Sequence, residues 1–70
     1  MIAHRLEALV TEMVERGVQF PDAAREFEKR FIARVLAAHE GSLTKAAAAL
    51  GLHRNTLARK VAEHGLTRRD

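Results

Sequence analysis

The residues best equipped for chemistry stand close together late in the chain: Arg54, Asn55, Thr56, Arg59 and Lys60. On a helix they face solvent once Leu57 and Val61, four apart and therefore on one side, turn inward. Arg bonds bidentately to guanine and Asn to adenine. Arg54 and Asn55 would occupy the first turn, where a helix lying in a major groove meets base edges. Arg59 and Lys60 follow a turn later, placed for phosphates. The chemistry on offer is recognition of a polyanion.

These side chains need a scaffold, and residues 42–64 supply its pattern. The Ser42 hydroxyl can accept from an orphan backbone N–H and so cap a helix. Lys45 to Ala49 are strong helix formers. Gly51 reaches positive φ at little cost and stops that helix. A second helix is expected to begin near His53 or Arg54 and to end at Gly65. The first helix offers Ala46, Ala47 and Leu50 as its apolar side. Alanine at 46 and 47 lets a second helix come close. The pattern is that of a helix-turn-helix.

Charge agrees with this division. Residues 1–40 carry six Lys/Arg against seven Asp/Glu, a balance of −1; residues 41–70 carry six against two, a balance of +4. The positive field belongs to the helix-turn-helix half and suggests a nucleic-acid partner. Residues 54–64 lack the bulky apolar face that a membrane surface needs, and no stretch is long or apolar enough to span a bilayer. No signal peptide is expected from the opening residues, and Cys is absent, which fits the expectation of a reducing cytoplasm.

Catalysis finds no support. The chain has one Ser, no Cys and no Tyr. Thr11, Thr44, Thr56 and Thr67 show no His-plus-carboxylate arrangement. His4, His39, His53 and His64 are scattered without metal-ligand spacing. No glycine-rich phosphate loop occurs. The expectation is a protein that is not an enzyme, with no metal, no cofactor and no small-molecule substrate.

The first forty residues read as two further helices. Ile2, Leu6, Leu9, Val10, Met13 and Val14 recur at helical spacing, so a helix is expected over 2–16 with Gly17 as its cap. Pro21 biases Phe20 away from helical geometry. Asp22 is then expected to cap a longer helix over 23–40, with Phe20 tucked back into the core and Gly41 as its end. On that helix Phe27, Phe31, Val35 and Ala38 make one stripe, and Ile32 and Leu36 a second. So wide an apolar surface suits a helix covered on two sides, by its own chain and by another copy. Seventy residues without a disulfide make a marginal monomer, and oligomerisation is the usual remedy. The expected dimer core is Leu6, Leu9, Val10, Met13, Phe27, Phe31 and Val35.

The run 41–66, with Ala46-Ala47, Leu50-Gly51, Arg54, Thr56-Leu57 and Arg59-Lys60 as its centre, resembles the Fis family of helix-turn-helix proteins. The same module closes the NtrC-type activators. Residues 24–40 look like the family's preceding helix. The resemblance implies an all-α, four-helix protomer in a single domain over 1–70. Residues 1–40 would interlock with those of a second copy, and 42–66 would form the DNA-binding motif. It implies that Arg54 reads a base edge while Ser42, Thr44, His53, Thr56, Arg59 and Lys60 hold the backbone. Recognition helices set close together in such a dimer imply that double-stranded DNA bends to reach both. Lys45, Arg68 and Arg69 would meet the curved backbone. Ala58 departs from the pattern, since the family's namesake has a basic residue there.

The leading expectation is therefore a homodimeric, sequence-specific, DNA-bending protein of the cytoplasm and nucleoid, acting as a transcription regulator or architectural factor. The alternatives are a protein-interaction module with a purely structural helix-turn-helix, and the DNA-binding end of a larger activator.

Overall fold

The structure, a computed structural model, describes residues 1–68; Arg69, expected at a curved DNA backbone, lies outside the described residues. Four helices follow one another: α1 (Ile2–Glu15), α2 (Phe20–Ala38), α3 (Leu43–Leu50) and α4 (Arg54–His64). The chain between them is short, and no strand occurs among the described residues.

All four helices close with the same pair of backbone bonds. At the end of α3, the Gly51 N–H donates to the Ala48 carbonyl at 3.3 Å and the Leu52 N–H to the Ala47 carbonyl at 2.9 Å. Gly51 is left-handed at φ 73°, which turns the chain at once toward α4. α2 ends earlier than the sequence suggested. Its last helical residue is Ala38, and Glu40 takes the left-handed position at φ 55° where the other three helices use glycine. Gly41, also left-handed, then donates to the Leu36 carbonyl at 2.8 Å. The cause of the shift is that the closing pair of bonds needs two residues beyond the helix, so Gly41 completes the motif rather than ending the helix itself.

The start of α2 also differs from expectation. The helix begins at Phe20, with Gln19 as its N-cap and Pro21 within the first two helical positions. Proline fits there because its missing N–H would have had no intrahelical partner. Asp22 is thus not the cap; it sits inside the first turn, where its charge still suits the positive end of the helix dipole. Phe20 is 83% exposed and does not tuck inward. It stands at the first position of α2, far along the helix from the part that meets α3.

The core belongs to the last three helices. Ile32 and Leu36 from α2, Leu43, Ala46 and Ala47 from α3, and Leu57 and Val61 from α4 are buried together. Leu50, Leu52, Ala58 and Leu66 pack around them. α2 lies on α3 and α3 on α4. α1 has no buried residue at all. The radius of gyration is 13.7 Å, against about 11 Å for a compact chain of this length. The larger radius accords with an N-terminal helix that has no fully buried residue.

The two apolar stripes of α2 therefore have different fates. Ile32 and Leu36 are buried within the protomer, whereas Phe27 and Phe31 remain 58% and 51% exposed. Their rings lie 5.5 Å apart, tilted at 48° to each other. Leu6, Leu9 and Val10 are likewise exposed, and Met13 is half-buried. Val35, assigned by its spacing to a dimer core, packs in part against the protomer's own core.

Leu57 is fully buried at the centre of the three-helix contact. Leu57→Ala should lower stability by about 2–5 kcal/mol through lost transfer energy and the cavity left behind. Chemical denaturation measures this, and a loss below about 1 kcal/mol would mean that the contact is not central.

Candidate nucleic-acid interface

Two caps set the position of the helix-turn-helix. The Lys45 N–H donates to Ser42 Oγ at 3.3 Å, so Ser42 caps α3 as its sequence position suggests. α4 is capped by His53, whose Nδ1 accepts from the Asn55 N–H at 3.1 Å. An accepting Nδ1 puts the proton of the neutral ring on Nε2. Histidine is outside the usual capping set of Ser, Thr, Asp and Asn, which is why residue type alone did not reveal this role.

With Leu57 and Val61 turned into the core, α4 presents Arg54, Asn55 and Arg59 to solvent. Thr56 is half-buried beside them. Thr44 and Lys45 are exposed in the first turn of α3, and His53 is exposed at the turn itself. Ser42, Thr44, Lys45, His53, Arg54, Asn55 and Thr56 thus lie at the starts of α3 and α4, and Arg59 lies a turn further along α4. A hydrogen bond joins the two starts: Arg54 Nε donates to Thr44 Oγ1 at 3.2 Å. Arg68 is exposed beyond α4.

Lys60 stands apart from this group. Its Nζ is paired with Glu28 Oε1 on α2, and the Lys60 side chain is only 27% exposed. His64 Nε2 lies 3.9 Å from the same oxygen, its side chain almost covered. Glu28 was not legible as part of the site. It is 32 positions from Lys60, and only the tertiary fold, with α2 on α3 and α3 on α4, brings them together. The Lys60 ammonium holds the Glu28 carboxyl below its ordinary value; partial desolvation opposes this, and His64 adds a smaller effect in the same direction. Arg59 has the looser partner, with Nε 3.9 Å from Glu63 Oε2 and both side chains well exposed.

The profile of bacterial regulatory proteins of the Fis family matches residues 23–64, more than half of the chain. The chain belongs to the Fis family. The match takes in nearly all of α2 together with α3 and α4, and leaves α1 outside. No curated protein and no solved structure matches the chain. The Fis-family helix-turn-helix is a DNA-binding domain rather than an enzyme fold, so α3 and α4 make this protein a DNA-binding regulator. Among the described residues no helix is long and apolar enough to cross a membrane.

Because the Glu28 carboxyl is lowered by folding, its contribution is present above the ordinary carboxylate range and lost as pH falls through its lowered value. Glu28→Gln should therefore cost about 0.2–1 kcal/mol near neutrality, the range of a partly exposed pair. Thermal melts of both proteins near pH 7 and near pH 3 test this. The gap should close at the acid end; an equal gap at both would assign the loss to packing rather than charge.

Proposed function

We propose that the protein is a homodimer that binds specific double-stranded DNA sites and bends them, as a transcription regulator or architectural factor of the nucleoid. The reading rests on one observation: the chain carries a finished helix-turn-helix beside an unfinished core. Leu43, Ala46 and Ala47 of α3 and Leu57 and Val61 of α4 are buried with Ile32 and Leu36 of α2, so the motif has a core within its own protomer. α1 has no fully buried residue, and Phe27 and Phe31 of α2 are also exposed. A second copy of this chain is the partner that such a surface suits, since residues 1–40 would cover their own counterparts about a two-fold axis.

In the proposed complex the start of α4 enters the major groove. Arg54 and Asn55 read base edges there. Ser42, Thr44, Lys45, Thr56 and Arg59 hold phosphates, and the Nε2–H of His53 faces outward as a further donor. Lys60 belongs to the same set. Glu28 already holds its ammonium, so a phosphate must compete for it, and Arg59 contributes more.

Sedimentation tests the assembly. The wild type should run as a dimer at low micromolar concentration, and Phe31→Ala should weaken that dimer by about 3–5 kcal/mol, as truncation of a covered Phe does. A folded monomer for the wild type would sink the reading.

Gel mobility tests the bend. Successive major grooves on straight DNA lie about 34 Å apart, and an interlocked core of short helices leaves little room to spread two α4 helices that far. Bending toward the protein closes the gap at an elastic cost of about 1–6 kcal/mol. One site placed at the middle of a fragment should retard it more than the same site at the end. Equal mobility would remove bending from the proposal, and dimers that show no salt-dependent binding to any duplex would be a protein-interaction module instead.

A further inference from the structure

We infer that Thr44 is a specificity-determining positioning residue, which acts on DNA through Arg54 by fixing which edge of the guanidinium meets the base. The inference rests on the reading of Arg54 as a base reader. Its structural basis is the hydrogen bond from Arg54 Nε to Thr44 Oγ1, which spans ten residues and joins the first turns of α3 and α4.

A guanidinium has five N–H donors, one on Nε and two on each terminal nitrogen. Two geometries can serve a guanine. Nε and one terminal nitrogen can approach side-on, or both terminal nitrogens can approach end-on. Thr44 Oγ1 takes the Nε donor and so closes the side-on edge. The end-on pair remains, with two parallel donors for the O6 and N7 acceptors of guanine. Among the described residues Arg54 has no carboxylate partner, in contrast to Arg59 with Glu63 and Lys60 with Glu28. Its terminal nitrogens are therefore not drawn toward an acidic side chain.

The acceptor is itself held in place. Thr44 follows Leu43, which is fully buried, and lies two residues from the Ser42 cap. Its β-branched side chain has few rotamers in a helix. Arg54, by contrast, is a long exposed side chain whose rotamer freedom is lost when it docks. A partner on the neighbouring helix removes part of that loss before DNA arrives. The saving applies only where the end-on pair finds its acceptors, so it raises discrimination at one base position more than it raises general affinity.

The test uses the full chain and a duplex selected by the wild type from a random pool, together with all single-base-pair variants of that duplex. Thr44→Val keeps the shape and removes the acceptor; Thr44→Ser keeps the acceptor. At the position where Arg54→Ala relaxes discrimination, Thr44→Val should reduce it by roughly 3- to 10-fold, the range for one immobilised side chain. Thr44→Ser should restore most of it. Adding Thr44→Val to Arg54→Ala should reduce discrimination there no further, because the partner is already gone. Equal weakening on selected and scrambled duplexes, additive with Arg54→Ala, would mean that Thr44 only holds a phosphate and would overturn the inference. If Arg54→Ala relaxes no position, the base-reading role fails first and takes the inference with it. Circular dichroism melts of each variant separate these outcomes from loss of fold.

Discussion

The close approach permitted by Ala46 and Ala47 is the constraint on which the rest of the structure depends. Both are buried where α3 meets its neighbours, together with Leu57 and Val61 of α4 and Ile32 and Leu36 of α2. Leucine or phenylalanine at either alanine position would force the helices apart, because interiors are packed as densely as organic crystals. The consequence reaches the surface. The contact sets the crossing of α3 and α4, which brings Thr44 within hydrogen-bond reach of Arg54, and the packing of α2 on α3, which places Glu28 beside Lys60.

A core this small leaves a second constraint. The hydrophobic term grows with buried area, and three short helices bury little of it. The chain nevertheless carries a further helix with exposed Leu and Val residues and three exposed Phe side chains. Large apolar surface open to water on one side of a small domain marks an interaction surface. Under the proposed function this surface is what makes two helix-turn-helix motifs act as one binder. Each protomer then needs only a complete motif and a half-filled core.

The polar contacts divide the basic groups of α4 by availability. Arg54 is joined to a neutral hydroxyl and keeps its terminal donors; Arg59 has a distant carboxylate; Lys60 is held closely by Glu28 with His64 beside it. A count of positive charge along α4 treats these three alike. Their surroundings do not, because a cation already paired in a partly desolvated site must exchange one anion for another to meet a phosphate. The Glu28 contact also ties α2 to α4, so one side chain links the helix of the exposed Phe pair to the second helix of the helix-turn-helix.

Much of this was legible in the residues themselves. Local chemistry determined it: Ser42 as a cap, Gly51 and Gly65 as left-handed stops, the inward pair Leu57 and Val61, and the outward Arg54 and Asn55 all follow from short-range rules of helix geometry. What the sequence could not determine depended on distance in the chain. Asp22 looked like a cap because Pro21 was read as a barrier, whereas the fold uses Pro21 inside the first turn and moves the start of α2 back to Phe20. Gly41 looked like the stop of α2, whereas Glu40 takes the left-handed turn before it. The two stripes of α2 looked equivalent by periodicity. Only the packing of α3 and α4 decided that Ile32 and Leu36 are inside while Phe27 and Phe31 stay outside. The pairings of Glu28 with Lys60 and of Arg54 with Thr44 have no local signature at all, because a hydrogen bond or an ion pair depends on where two helices cross, and that crossing is set by the volume of the side chains between them.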